Sequence, residues 1–167
     1  MEYSAYLEAT DELDPDHYEG PFAEAIGLHT VYYLTEAAQL GLSYANFEQA
    51  DGKHQSRKNL FGMDMFWSRQ RFEVTGEFTY RREDKREEQT EWGIFLQGTA
   101  PLSAHFFAIG RYEFFSFSGP VPGVHLWTAA LAFRPLSPLI FKVEYSVGHR
   151  NVVKTPEGFS TSVSLLF

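Results

Sequence analysis

Alternation of apolar and polar residues, repeated in short segments along nearly the whole chain with no helical period, most limits what this sequence can fold into. It is clearest in RFEVTGEFTYR (71–81). There Phe72, Val74, Phe78 and Tyr80 fall on one face with Gly76 between them, and Arg71, Glu73, Thr75, Glu77, Thr79 and Arg81 fall on the other. Successive side chains of a strand point to opposite sides, so this pattern specifies a strand with one apolar and one polar face. Its length is about that of a tilted strand crossing a bilayer.

The same rule organises the rest. Leu40, Leu42 and Tyr44 alternate with Gly41, Ser43 and Ala45, and Phe61, Met63, Met65 and Trp67 with Leu60, Gly62, Asp64 and Phe66. Trp92, Ile94, Leu96 and Gly98 stand against Gly93, Phe95, Gln97 and Thr99, and Trp127, Ala129, Leu131 and Phe133 against Thr128, Ala130, Ala132 and Arg134. Leu139, Phe141, Val143, Tyr145 and Val147 oppose Lys142, Glu144, Ser146 and Gly148. In 105–117, Arg111 and Glu113 fix the polar face, leaving Phe106, Ala108, Gly110, Tyr112 and Phe114 opposite. Segment 22–34 resists assignment to faces, and a first strand near 2–9 brings the expectation to about ten strands.

The links between strands add independent information. Tight ones are expected at 35–38, 68–70, 101–104 and 135–138, and longer or more polar ones at 11–20, 49–57, 83–90, 118–122 and 150–157. The two kinds take turns, as the short periplasmic turns and long outer loops of an outer-membrane barrel do. Aromatic residues gather at two levels, with Trp67, Phe72, Phe106, Phe133 and Phe141 toward the tight turns and Tyr44, Tyr80, Trp92, Phe114 and Tyr145 toward the long loops. Two such belts suit the two interfaces of a bilayer.

Composition is compatible with this. A mean hydropathy of -0.29 looks soluble, but alternating strands average to near neutral, so the value excludes no β-barrel. No apolar run reaches the ~18 residues of a transmembrane helix. A net charge of -8 without a basic stripe argues against a nucleic-acid partner. Cysteine is absent, which removes disulfides and thiolate metal sites. Met1 runs directly into Glu2, Tyr3 and Ser4 with no secretory leader, so the expectation is a processed form or a chain lacking its front.

These features predict one all-β domain over 1–167, an antiparallel meander forming a transmembrane β-barrel or the C-terminal part of a longer one. Alternation alone does not say which way the apolar face points. A soluble meander barrel of the lipocalin kind, binding an apolar ligand inside, is therefore the rival fold.

The last segment sets Phe159, Thr161, Val163, Leu165 and Phe167 against Ser160, Ser162, Ser164 and Leu166. It resembles the terminal assembly signal of outer-membrane β-barrel proteins, which ends in an aromatic with hydrophobics at alternate positions before it. Phe159, Val163, Leu165 and Phe167 match that pattern and Thr161 matches it in part. The resemblance implies that the barrel-insertion machinery reads this strand. Segments from about 22 onward are also similar in style to the closing strands of larger porins, anion-selective types among them. That implies a bacterial outer-membrane location, contact with outer-membrane lipid and lipopolysaccharide, and passage of small hydrophilic solutes. A homo-oligomer is compatible with this, since porins are often trimers.

The polar face carries Asp64, Arg71, Glu73, Glu77, Arg81, Arg111, Glu113, Lys142 and Glu144. One reading is a charged lumen that selects ions or solutes. The other is a ladder of ion pairs plugging a narrow barrel, because aqueous channels appear at about 16–18 strands. A plugged barrel would be a structural or adhesive element acting through its acidic outer loops. Asp11, Glu12, Asp14 and Asp16 could offer hard oxygen ligands but lack calcium-loop spacing, so a solvated loop is the plainer reading. The 6 histidines show no metal-ligand spacing. No hydrolase motif stands out, so neither an enzyme nor a cofactor is expected.

Overall fold

In a computed structural model, the structure describes residues 2–9, 22–51, 54–83, 90–119, 122–149 and 157–165. All regular structure among them is strand. The strands are β1 (Glu2–Ala9), β2 (Phe22–Thr35), β3 (Ala38–Asp51), β4 (His54–Arg69), β5 (Phe72–Glu83), β6 (Thr90–Pro101), β7 (Phe106–Ser116), β8 (Val124–Leu136), β9 (Leu139–His149) and β10 (Gly158–Leu165). They form a 10-stranded sheet in sequence order, each pairing antiparallel with the next. Among the described residues, the far edges of β1 and β10 pair with no other strand, so the meander is an open wall.

Register carries the apolar face without interruption from strand to strand. Leu28 lies opposite Tyr44, Tyr44 opposite Phe61, Phe61 opposite Tyr80 and Tyr80 opposite Trp92. Further along, Tyr112 meets Trp127, Trp127 meets Val147, Phe133 meets Phe141 and Phe141 meets Val163. A slip of one residue in any hairpin would send half of this band to the other side.

The two faces differ in crowding, and that difference gives the sense of curvature. Trp127 is 58% exposed and Val143 49%, whereas Thr128 is 7% and Ala132 2%. Along β9 the exposed positions are Phe141, Val143, Tyr145 and Val147, and the less exposed ones are Lys142, Glu144 and Ser146. Side chains crowd on the inside of a curved sheet and splay on the outside. The apolar face is therefore convex and the polar face concave. Among the described residues no large side chain is fully buried, and the buried apolar residues are Ala25, Ala45, Phe107 and Ala132, all on the concave side. A water-soluble barrel would place its large apolar side chains inside. This wall has them outside.

Three details depart from the sequence expectation. The 49–57 link is not long: β3 runs to Asp51 and β4 begins at His54, so both strands extend into the expected loop and pair there. The turn expected at 68–70 is centred on Gln70 and Arg71, with φ of 53° and 72°. Positive φ at both central residues marks the mirror-image turn whose twist suits a two-residue hairpin. Arg71 thus belongs to the turn and not to β5. Segment 22–34 is a strand whose register shifts at both ends, between Phe22 and Glu24 and between Tyr33 and Thr35. It resisted assignment because both faces are apolar, with Ile26, Leu28, Tyr32 and Leu34 on the convex side and Val31 and Tyr33 on the other.

Candidate functional site

The convex surface is bounded by two aromatic levels. Toward the long links, Tyr44 packs on Phe61 at 5.0 Å between ring centroids, Trp92 on Phe114 at 4.7 Å and Phe114 on His125 at 4.5 Å. Toward the tight turns, Phe106 stacks on Phe133 at 4.7 Å and Phe133 on Phe141 at 6.3 Å. The first belt carries polar handles. Tyr44 OH donates to Asn59 Oδ1 at 2.7 Å, and Tyr112 OH lies 2.9 Å from His125 Nδ1. Beyond it the same face turns charged, with Arg57 bridging Glu24 at 2.6 Å and Glu48 at 3.9 Å. Amphipathic rings with an apolar body and a polar tip settle where an apolar layer meets water.

The concave surface brings together the charged residues expected to line a lumen. Asp64, Glu73, Glu77, Arg81, Arg111, Glu113, Lys142 and Glu144 lie on this one face by register. Arg71 reaches it from the turn, its Cζ 4.7 Å from the Phe107 ring centroid and its Nη2 donating to the Ala104 carbonyl at 2.6 Å. Some of these charges are paired. Arg81 bridges Glu91 across the β5–β6 hairpin, Arg111 lies 2.9 Å from Glu113, and Lys142 lies 2.7 Å from Glu144. Ser160 adds a hydrogen bond to Glu144 at 3.0 Å, and Thr128 meets Ser146 at 2.9 Å.

Among the described residues, Asp64, Glu73 and Glu77 join no ion pair of this ladder. Asp64 and Glu77 are direct cross-strand partners, and like charges so placed repel. The Asp64 carboxylate lies over Gly41, where any Cβ would collide with it. Water screens such neighbouring carboxylates better than an apolar interior does. A continuous ladder of ion pairs, the arrangement expected of a dry plugged interior, is absent among the described residues.

Two residues of this surface were not anticipated as site residues. Glu91, the partner of Arg81, sits in a charge-dense segment that reads as loop. Arg134 comes over Phe107 at 4.7 Å, near a register irregularity between Phe133 and Leu136 that alternation does not reveal. Of the expected assembly signal, Phe159, Val163 and Leu165 line the convex face of β10. Phe167 lies outside the described residues, as does the acidic run 11–16. Among the described residues no three potential metal ligands cluster, and His29 is engaged with Ser43 at 2.8 Å.

A single-layer antiparallel meander with an apolar convex band and a charged concave face has the architecture of part of a porin-like β-barrel. Comparison with known proteins agrees at the level of fold. The chain is similar to the anion-selective porin from Comamonas acidovorans, with a TM-score of 0.69 and 12% identity over 92% of this chain and 49% of that one. It thus spans about half the length of the porin it matches. No protein-family model matches the sequence. No curated protein matches it either.

Proposed function

We propose that this chain forms part of the wall of a water-filled channel in the bacterial outer membrane, through which small hydrophilic solutes and ions diffuse passively. The observation that carries the reading is the direction of the two faces. Large apolar side chains project from the convex surface, which suits contact with lipid, and Asp64, Glu73 and Glu77, unpaired among the described residues, lie on the concave surface, which suits contact with water. Full burial of one Leu, Val or Phe is worth about 1.5–3 kcal/mol. Many such residues on one face make insertion a major source of this sheet's stability.

In this reading the free edges of β1 and β10 pair with further strands, since a narrower closure would fill the interior with side chains. The concave charges set which ions pass, and the protein is a channel rather than an enzyme. Outer-membrane lipid and lipopolysaccharide cover the convex band, and the barrel-insertion machinery engages β10. Planar-bilayer recording of the closed barrel, this chain together with the strands that pair with β1 and β10, tests the proposal. Discrete, stable conductance steps support it, whereas a heat-modifiable fold in membranes with no conductance overturns the channel and leaves a structural barrel.

A further inference from the structure

At the tight-turn end of the concave face, two cationic side chains converge on one phenyl ring. The Cζ atoms of Arg71 and Arg134 each lie 4.7 Å from the centroid of Phe107, which is 6% exposed. Stacking on a ring face is favourable for a guanidinium but supplies no counter-charge. Neither arginine has a carboxylate within ion-pair distance among the described residues, whereas Arg111 and Lys142 on the same face each have one. Among the described residues the buried Nε of Arg134 has no hydrogen-bond acceptor, a feature it shares with Arg111.

The backbone fixes where the two side chains start. Arg71 holds φ at 72° in the second central position of its turn, a place suited to Gly and disfavoured for a long side chain. Gln70 shares that conformation, which the two-residue hairpin imposes on both. The Arg71 side chain is aimed, its Nη2 donating to the Ala104 carbonyl and its Cζ over Phe107. The backbone of Arg134 is anchored to His105, its amide donating to the His105 carbonyl at 2.8 Å and its carbonyl 3.0 Å from His105 Nδ1.

We propose that Arg71 and Arg134, mounted on Phe107, form a binding site for a small carboxylate or phosphate anion at the tight-turn mouth of the lumen. Planar guanidiniums suit these anions because they can donate two parallel hydrogen bonds to a pair of oxygens. An anion bound beside them also offsets the like charges gathered at one ring. The site's part in transport rests on the channel reading, but binding itself requires no conductance. A solute phosphate and a lipid phosphate share this chemistry, and the position on the concave face favours the solute.

The test is a titration of the folded, nitrogen-15-labelled chain in a neutral detergent with inorganic phosphate, with acetate, and with a short-chain phosphatidylglycerol. Guanidinium Nε–H resonances are followed and assigned by Arg71→Lys and Arg134→Lys. Saturable shifts of Arg71 and Arg134, with Arg111 unmoved, are expected for phosphate and acetate. Arg71→Asn removes the guanidinium while suiting the left-handed backbone, so the fold is retained and affinity falls about tenfold or more. Phe107→Leu weakens binding as well. Shifts that rise linearly in every arginine, or an unchanged affinity in Arg71→Asn, overturn the site. Saturation by the lipid alone overturns the solute assignment. A chain that binds phosphate but never conducts keeps the site and sinks the channel, and a conducting chain that binds no anion does the reverse.

Discussion

Placing one arginine at three positions of neighbouring strands separates a bilayer-facing band from any other apolar surface. Leu96 is 46% exposed on the convex face of β6, in register with Gly76 and Tyr112. It lies midway along the outward residues running from Trp92 to Ala100. Four residues separate it from Trp92, about 13 Å of strand, which a tilt near 40° reduces to roughly 10 Å of depth. Arginine on the lipid face at that depth costs about 2–4 kcal/mol, or a folding equilibrium weaker by about 30- to 1,000-fold. Ser116 faces the same way but is the register partner of Trp92 at the belt, where the same charge costs about 0–1 kcal/mol. Phe95 precedes Leu96 on the opposite face, between Glu77 and Glu113. Arginine there gains two acidic neighbours, each worth roughly 0.2–1 kcal/mol, which offset the lost phenyl packing.

Urea titration of folding into phosphatidylcholine vesicles, read by the gel shift between folded and heated protein, measures all three. The expected order of cost is Leu96→Arg far above Ser116→Arg, with Phe95→Arg within about 1 kcal/mol of the parent. A soluble barrel with an apolar interior has no bilayer depth, so it gives Leu96 and Ser116 no reason to differ in this way. Equal costs at these two positions, or a larger cost at Phe95, would refute the facing and the depth together.

Three further outcomes follow. Glu77→Gln removes the charge facing Asp64, so folding yield should be unchanged or improved while the reversal potential in a salt gradient moves toward anions; a shift toward cations would contradict a lumen position. Ala132, 2% exposed and in register with both Phe107 and Lys142, has no room for growth, and Ala132→Leu should cost about 1–3 kcal/mol in the same urea titration. Leu165→Arg places a charge on the convex face of β10, 59% exposed and opposite Leu139, so assembly into membranes should fall sharply while Ser164→Arg, on the other face, is tolerated.

Much of this architecture is legible in the sequence because a period of two is a direct consequence of strand geometry. Nearly every convex residue of β4, β6, β8 and β9 can be read from alternation alone, and the tight turns fall within a residue or two of expectation. What could not be read has physical causes. β2 is apolar on both faces, so its pattern carries no phase, and only hydrogen-bonded register with β3 assigns Ile26 and Leu28 to one side. Gln70 and Arg71 lack the Asn-Gly signature of the turn they adopt, since neighbouring strands impose the conformation. The extension of β3 and β4 into a polar segment depends on pairing between Gln49–Asp51 and His54–Ser56, which hydrophobic pattern does not reveal. The charged set of the concave face was legible residue by residue, but not its division into pairs. That division depends on which side chains the register brings opposite each other, as with Arg81 and Glu91. The direction of the apolar face was the largest gap, because alternation is identical for a wall turned inside out.

That direction is also what the account most depends on, and accessibility scanning of β9 measures it. The chain has 0 cysteines, so a single cysteine at each position from 139 to 147 can carry a nitroxide in the vesicle-reconstituted protein. Relaxation by lipid-dissolved oxygen should peak at Phe141, Val143, Tyr145 and Val147, and relaxation by a water-soluble nickel chelate at Lys142, Glu144 and Ser146. The opposite phase, or labels that meet the chelate equally at all positions, would contradict an apolar wall facing lipid.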